Sequence, residues 1–479
     1  MPRSFYELQL ICLVSFCLVS LLVERHLSKR RANPKAELEE EDGHHVTSTA
    51  ATSGSGHVLS TLTRQYLIVY AIVMGADWLQ GPYIYSLYKE QYAFPERLVA
   101  AFFVTGFMSA GLMAPVVGVL ADQHGRRKIC LVFCVTYAFS CVCILFPYLP
   151  VLFAGRLLGG FSTSILYSAF ESWLISASTS LALPQTDLSG ILGRASLVNG
   201  FVAAAAGVAS NELVGMTGSF ATPFVASGVL LVLGWIVIKG TWTENYGSGG
   251  GTDAATSDPL QLRRLGQAWK IVRSEPPLLV IGLTQTCFEG SMYLFVFNWV
   301  PAMQEVALPY NPLPLGYIFS SFMVAMMVGS LLYTSIVSLH STTDPEMHGD
   351  SSLVLHAKLS SLVCAVGALA LAASIKSKDE HVRFWAFCIF EACVGMYYPV
   401  QGMLRGTLIS NEHRATLSSL FRVPLNVFVV VSLLTGVSSA RYIVLMASSI
   451  MLSLSSMITA AFLVDHSDST SLTAPRPPE

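Results

Sequence analysis

The chain alternates between long apolar runs and short polar breaks along almost its whole length. Thirteen runs approach the roughly 20 residues that a helix needs to cross a bilayer. The first run covers residues 5–23 and stands apart from the others. The other twelve lie near residues 65–88, 97–120, 128–147, 153–177, 190–211, 220–238, 278–300, 314–339, 352–375, 382–404, 418–438 and 441–464. This pattern predicts an all-α protein that crosses a membrane many times.

The composition supports that prediction and excludes other classes. Hydrophobic residues make up 53% of the 479 positions and charged residues only 12%, about half the charged share of a soluble protein. The net charge of −2 excludes a general nucleic-acid-binding protein. No H-E-x-x-H, G-x-S-x-G or P-loop motif occurs, so we expect no enzyme and no cofactor.

Basic residues set the predicted orientation and divide the chain. Arg25, Lys29 and Arg30 follow the first run, and more cations occupy the loop after residue 238. The positive-inside rule therefore places the amino terminus outside; the loop at 376–383, with Lys376, Lys378 and Arg383, departs from the rule. The predicted parts are an anchor helix at 1–23, a cytosolic disordered linker at 24–64, a six-helix half at 65–238, a cytosolic central loop at 239–276 with a membrane-surface helix over 260–272, a second six-helix half at 277–464 and a cytosolic disordered tail at 465–479.

The two six-helix halves resemble each other at matching points. The offset between matched residues is 212 in the first helix, 220 in the fourth and about 228 in the fifth. The matches are Asp77 with Glu289, Phe170-Glu171 with Phe390-Glu391, and Arg194 and Asn199 with Arg422 and Asn426. A smoothly rising offset predicts a duplicated unit with pseudo-symmetric halves.

Several charges fall inside apolar runs, where each costs at least a few kcal/mol and needs a partner or a function. Asp77 and Glu289 lie about twelve residues into their predicted helices, so we interpret them as lining a pathway rather than as members of a purely structural buried ion pair. Arg194 and Arg422 lie nearer the cytosolic ends, and both substrate contact and anchoring remain open for them. The full set of candidates is Asp77, Arg156, Glu171, Arg194, Glu289, Glu391 and Arg422.

The sequence GVLADQHGRRK occupies residues 118–128, at the predicted cytosolic turn between the second and third core helices. Gly118 permits close helix contact, and Gly125 permits a tight turn. Asp122 can pair with a helix end or with an arginine, Arg126 or Arg127. We interpret these five residues as an ionic latch whose opening biases two conformations.

That motif resembles the conserved loop of the major facilitator superfamily, and RLLGG at 156–160 resembles the fourth-helix motif of the same superfamily. The loop after the eighth helix lacks the matching Asp and Arg residues, so the latch is expected on one side only. A closer resemblance is to the eukaryotic molybdate-anion transporters. It is carried by ADWLQGPYIY at 76–85, GRLLGGFSTS at 155–164, AFESW at 169–173, FSSFM at 319–323 and FRVP at 421–424.

The resemblance implies the major facilitator fold, with one extra N-terminal helix, and uptake of the molybdate dianion. We hypothesise alternating access, with Arg194 and Arg422 holding the oxyanion and Asn199 and Asn426 adding neutral donors. Because a dianion entering a negative cell costs about 4.6 kcal/mol per 100 mV, we expect coupled protons. The candidate proton carriers are Asp77, Glu171, Glu289 and Glu391.

The alternatives left open are a sugar or organic anion as substrate, or a receptor that binds without transport. We expect a monomer in the lipid bilayer of the plasma membrane, with no nucleic acid and no metal.

Overall fold

The structure is a computed structural model that describes residues 5–41, 51–246, 270, 272–273, 275–307, 312–343, 349–409, 414–436 and 441–464. These residues form helices joined by short connections, and none of them forms a strand. In the first half the helices are α1 (Phe5–Glu41), α2 (Ala51–Trp78), α3 (Glu96–His124), α4 (Arg126–Cys143), α5 (Leu149–Leu166), α6 (Ala169–Ser180), α7 (Gln185–Thr217) and α8 (Thr222–Thr241). In the second half they are α9 (Pro276–Val306), α10 (Leu315–Thr343), α11 (Gly349–Lys376), α12 (Glu380–Leu408), α13 (Arg414–Gly436) and α14 (Arg441–Thr459). The predicted all-α polytopic fold is confirmed.

Ten of the described segments are long and apolar enough to cross a membrane, and α5 with α6 counts as one of them. Three predicted spans form helices that do not meet this criterion, namely α4, α12 and α13. Charge explains two of these. α4 begins with three cations at residues 126–128, and α12 carries Arg383, Glu391 and Arg405 along its length. The protein is therefore a multi-pass membrane protein with charged side chains inside some of its helices.

The chain divides by its internal contacts into two compact units. Unit 1 comprises Met1–Leu87, Met108–Gly250 and Leu315–Val324, and unit 2 comprises Tyr88–Phe107, Gly251–Pro314 and Ala325–Glu479. In unit 1, α2 packs against α7 and α8, and α4 packs against α5 and α8. In unit 2, α9 packs against α13 and α14, and α11 packs against α12 and α14. The same order of neighbours recurs six core helices later, as a duplicated unit requires.

Large side chains lie both inside the bundles and on their outer faces. Phe133 and Trp173 are buried in unit 1, and Phe288 and Phe295 in unit 2. Many large apolar side chains are also exposed on the helices; examples are Leu112, Val229, Leu369 and Ile443. Such a surface is unfavourable in water and is suited to contact with lipid chains.

The segment predicted as a disordered linker differs from that prediction where it is described. α1 continues to Glu41 and α2 already begins at Ala51, while residues 42–50 lie outside the described residues. Residues 35–41 are Lys, Ala, Leu and Glu, which are strong helix formers, and extending an existing helix needs no new nucleus. Of the predicted surface helix at 260–272, only residues 270 and 272 are described, and the tail at 465–479 lies outside the described residues.

Candidate functional site

Asp77 lies next to a break in the first core helix rather than in the middle of a continuous one. α2 ends at Trp78, and the chain turns before a single helical turn begins at Ile84. Gly81 and Pro82 explain the interruption, because proline removes a backbone donor and disfavours helix in the residue before it. A broken helix beside a charged residue is a common arrangement at the binding sites of transporters.

Side chains from α4, α7 and α8 hold the broken segment. The Tyr137 hydroxyl donates a hydrogen bond of 2.5 Å to Asp77 Oδ1. The positive charge of Arg156, on α5, also acts on the Tyr137 hydroxyl. Three further hydrogen bonds join the segment to α7 and α8: Trp78 Nε1 to Asn199 Oδ1 (2.8 Å), Gln80 Nε2 to Ser227 Oγ (2.9 Å) and Tyr83 Oη to Asn211 Oδ1 (3.0 Å). Asn199 accepts through its oxygen, so its amide N–H groups stay oriented as donors.

Glu289 in unit 2 has an arginine partner that sequence reasoning missed. Arg405, near the end of α12, approaches Glu289 Oε1 with its Nη2 at 3.3 Å. The Tyr397 hydroxyl donates to the same oxygen at 3.3 Å, and Gln285 Nε2 donates to Oε2 at 3.3 Å. The signal that could have found Arg405 is its position on a helix that also contains Glu391. It was missed because the predicted span ended at residue 404, whereas the helix continues to Leu408.

The other candidates occupy different environments. Glu391 on α12 is buried and has no hydrogen bond to any described residue. Glu171 on α6 and Arg194 on α7 are exposed, and Arg156 is half-buried. Asn426 is half-buried on α13, and Arg422 belongs to the same helix, with its side chain outside the described part of the chain.

The residues of the predicted latch form a short ionic turn. Asp122 Oδ1 accepts from Arg126 Nη2 at 2.8 Å and from its Nε at 3.2 Å, and the Asp122 side chain is 54% exposed. Arg126 also donates from Nη1 to the Ser172 carbonyl at 3.1 Å. A Cβ at Gly118 would meet nothing within 4 Å, so the close helix contact expected there does not occur among the described residues.

The segment that follows α8 holds this turn in place, and we call residues 242–246 the clasp. Glu244 Oε1 accepts from the Arg127 amide at 2.8 Å, at the amino terminus of α4, where a carboxylate is favoured. The Arg126 amide donates to the Asn245 carbonyl at 3.0 Å. Trp242 stacks on Trp173 with ring centroids 3.7 Å apart. None of these partners was predicted, because they are distant from the motif in sequence.

Two further arginines have structural partners in unit 2. Arg441 makes a two-point pair with the buried Glu96, at 3.1 and 3.2 Å. Arg383 is buried and donates to the carbonyls of Ala302 at 2.6 Å and Ser377 at 3.0 Å. Arg383 was predicted to lie in a loop that departs from the positive-inside rule, but it lies in the first turn of α12 and its contacts give it a local structural role. Among the described residues, no group of three or more His, Cys, Asp or Glu side chains is arranged to hold a metal ion.

Comparison with known proteins gives a family. Residues 43–389 match the model of a family described as sugar transporters with 12 transmembrane segments. The chain is 36% identical over 371 residues to the molybdate-anion transporter of Xenopus laevis, covering 76% of this chain and 77% of that protein. It is 32% identical over 435 residues to the molybdate-anion transporter of Takifugu rubripes, covering 87% and 85%.

Solved structures share the fold at low identity. A crystal structure of the nucleoside transporter NupG matches with a TM-score of 0.64 over 83% of this chain and 99% of that one, at 9% identity. A peptide transporter POT in complex with sulfate matches with a TM-score of 0.64 over 85% and 97%, at 11% identity. Together with the repeated packing of the described helices, these relatives show that the chain is a transporter, not an enzyme, and that it belongs to the molybdate-anion transporter family of the major facilitator superfamily.

Proposed function

We propose that this protein imports the molybdate dianion across the plasma membrane by alternating access, coupled to protons. One observation carries the proposal. Relatives at 30–36% identity, aligned over three quarters or more of both chains, bear the name molybdate-anion transporter. A tetrahedral dianion needs a site rich in N–H and O–H donors. The Tyr137 hydroxyl donates to Asp77 in unit 1, and Arg405, Tyr397 and Gln285 donate to Glu289 in unit 2. These donors beside acidic residues support this substrate class.

The proposed substrate contacts combine arginines with amides. Arg194 is exposed, which suits a group that meets a hydrated anion. Asn199 lies five residues further along α7 and retains amide donors beside Trp78. Arg422 and Asn426 are the corresponding positions of the repeat, and Arg156 adds a positive charge near Tyr137. Arginine suits this task because its planar donors fit oxyanions at two points.

Proton coupling follows from the electrical cost of the substrate. Carrying two negative charges into a negative compartment costs about 4.6 kcal/mol per 100 mV, and two protons per anion remove that cost. Asp77 and Glu289 are the proposed carriers beside the substrate, with Glu171 and Glu391 as further carriers. Glu171 is exposed and Glu391 is buried, so the two differ in their access to water.

Conformational switching is assigned to the turn between α3 and α4. The Asp122 side chain is exposed, so its pair with Arg126 is weak, worth about 0.2–1 kcal/mol. A weak pair can open and close without a large barrier. Gly118, Gly125 and Arg127 complete the proposed latch, with Gly125 in a backbone conformation that few other residues adopt.

The test is molybdate uptake by cells that express the full-length protein at matched surface abundance. We expect saturable uptake that an inward proton gradient stimulates and that tungstate inhibits. Asp77→Asn and Arg194→Gln should each lower the rate at least tenfold. Uptake equal to that of untransfected cells would overturn the substrate, and uptake that ignores an imposed pH gradient would overturn proton coupling. Binding without uptake would favour a receptor.

A sugar is the second candidate, and one observation favours it: the matching family is described as sugar transporters. The aromatic–amide pairs Trp78–Asn199 and Tyr83–Asn211 would suit a hydroxylated ring. Competition separates the two candidates. Inhibition of molybdate uptake by tungstate but not by hexoses supports the oxyanion, and uptake of labelled hexose blocked by other hexoses supports the sugar.

A further inference from the structure

The Glu289–Arg405 pair differs from the other ion pairs of the described chain in its burial. Glu289 is 13% exposed and Arg405 is 23% exposed. In each of the other three pairs at least one partner is more open: Asp122 at 54%, Glu305 at 61% and Arg441 at 31%. A pair shielded from water on both sides interacts strongly, and separating it requires a replacement for each charge.

Three hydrogen-bond donors contact the Glu289 carboxylate, and all three hydrogen bonds are long. Arg405 Nη2, the Tyr397 hydroxyl and Gln285 Nε2 all lie 3.3 Å from its two oxygens. Charge-assisted hydrogen bonds to a carboxylate are usually about 2.7–2.9 Å long. The carboxylate is therefore held loosely by three donors, one of them a full positive charge.

Two atoms of this cluster are buried without any hydrogen-bond partner in the described chain: Arg405 Nε, a donor, and Gln285 Oε1, an acceptor. Unsatisfied buried polar atoms are uncommon, and each calls for an explanation. Two coupled events would satisfy both atoms. A proton on Glu289 provides an O–H donor for Gln285 Oε1, one helical turn away, and an oxyanion provides acceptors for Arg405 Nε and Nη2.

We propose that Arg405 is a substrate-binding cation of unit 2, in addition to Arg422, and that Glu289 is its internal competitor, displaced from Arg405 when Glu289 takes a proton and the oxyanion binds. This inference rests on the proposed function, since it assigns the recognition of the same anion. The proton comes from the side on which the anion enters and leaves from Glu289 when the anion leaves. No bond other than the O–H bond of the carboxyl forms or breaks.

Groups from four helices lie against α9, the helix of Glu289, and Arg405 is the cation that contacts Glu289 among the described side chains. α12 contributes Arg405, the hydroxyls of Tyr397 and Tyr398, and the carboxyl group of Glu391, which acts on Tyr398 as Glu289 does. α13 contributes apolar groups at Gly282 and Gly290, and α14 contributes the neutral hydroxyls of Ser455 and Thr459 at Thr284. The segment 96–107 of α3 contributes aromatic rings, Phe103 against Phe297 and Phe107 against Tyr293.

The charges explain why one proton at this site is insufficient. Before binding, Arg405 and Glu289 sum to zero. After Glu289 takes a proton and a dianion binds, the sum of the three groups is −1. One further proton elsewhere in the protein makes the loaded state neutral, in agreement with two protons per anion.

Equilibrium binding of molybdate to the purified full-length protein in detergent tests the inference. At pH 7.5, Glu289→Gln removes the competitor but keeps a neutral side chain of the same size, so we expect affinity at least tenfold higher than wild type and a flatter dependence on pH. Arg405→Gln should weaken binding at least tenfold, and Arg405→Lys should restore part of the loss. Glu305→Gln is the matched control, because Glu305 also pairs with an arginine and lies on the same helix.

The outcomes separate the inference from the proposed function. Two results would overturn the inference: equal molybdate affinity of Glu289→Gln, Glu305→Gln and wild type, or unchanged binding by Arg405→Gln. If wild type still takes up molybdate in either case, the proposed function stands. A wild type that neither binds nor transports molybdate overturns both. Size-exclusion profiles and thermal unfolding of each variant exclude misfolding as the cause; if Arg405→Gln does not fold, Glu289→Gln alone decides.

Discussion

The Tyr137 hydroxyl, on α4, donates a hydrogen bond of 2.5 Å to Asp77 Oδ1, on α2. This length is typical of a strong bond from a hydroxyl to a carboxylate. Tyr137 is buried and packs against Phe133, so its ring is held in position. The carboxylate beside the broken helix is therefore oriented by a partner sixty residues away in sequence.

We expect Tyr137→Phe, which removes a single hydroxyl group, to impair transport. The change leaves the ring packing intact but removes the donor from a half-buried carboxylate, which costs about 1–3 kcal/mol. Uptake should fall several-fold, and the unfolding temperature of the purified protein should drop.

Tyr66→Phe is the matched control for that prediction. Tyr66 is also buried in unit 1 and stacks on Tyr70, but no described residue accepts a hydrogen bond from its hydroxyl. Its substitution should leave uptake unchanged. Equal rates for Tyr137→Phe and Tyr66→Phe would remove the Tyr137 bond from the transport mechanism.

Gly125→Ala should disrupt the clasp. Gly125 has φ +101°, and an added Cβ would lie 2.6 Å from the carboxyl group of Glu244. Both the backbone strain, about 1–3 kcal/mol, and the displacement of Glu244 from the start of α4 destabilise the turn. We expect a lower unfolding temperature and slower uptake.

Gly118→Ala tests whether the destabilisation is specific to Gly125. A Cβ at Gly118 meets nothing within 4 Å, and alanine favours helix over glycine by about 1 kcal/mol. This variant should be as stable as wild type or more stable. If both alanine variants behave alike, the strain at Gly125 does not govern the turn.

The helices could be predicted from the sequence, whereas the partners of the acidic residues in them could not. A long apolar run is a local property of the sequence, so the core spans could be predicted from the sequence alone. Asp77 and Glu289 were found because a carboxylate in an apolar run is conspicuous. Their partners Tyr137 and Arg405 come from other helices, and nothing local in the sequence indicates which helices meet.

The same reasoning explains the clasp and the break in α2. Glu244 follows the last residue of α8 in a polar stretch, where an acidic residue is ordinary, and only the fold brings it to Arg127. The Gly81-Pro82 pair did carry a local signal of a turn, which the surrounding apolar run concealed.

Asp379, which lies outside the membrane-spanning helices, should make the stability of the protein to unfolding depend on pH in acid. Its carboxylate caps α12, accepting from the amides of Val382 at 2.9 Å and His381 at 2.8 Å. These hydrogen bonds, first that from Val382, hold the pKa of Asp379 below its ordinary value. The stabilisation is therefore complete above the unfolded-state pKa of about 3.9 and is lost as pH falls through the lower folded-state pKa.

Thermal unfolding between neutral pH and about pH 3 checks this prediction. Asp379→Asn keeps a capping side chain without a titrating group, so its unfolding temperature should fall less steeply with acid than that of wild type. Asp379→Ala should be less stable at neutral pH. Parallel pH curves for wild type and Asp379→Asn would show that the cap does not contribute through its charge.

Glu391→Gln should change the electrical character of transport without harming the fold. Glutamine has the same size as glutamate and carries no titratable proton. If Glu391 carries one of the two protons, the variant imports one net negative charge per cycle. An inside-negative potential then opposes uptake by about 2.3 kcal/mol per 100 mV, which corresponds to about 50-fold lower accumulation at equilibrium.

Proteoliposomes with a clamped potassium potential measure this effect directly. Wild type should accumulate molybdate equally at 0 mV and at an inside-negative potential of about 100 mV, because two protons neutralise the dianion. Glu305→Gln should match wild type, since Glu305 is exposed and outside the proposed pathway. Glu391→Gln should lose accumulation only when the potential is imposed. Insensitivity to the potential in this variant would assign the second proton to Asp77 or Glu171 instead.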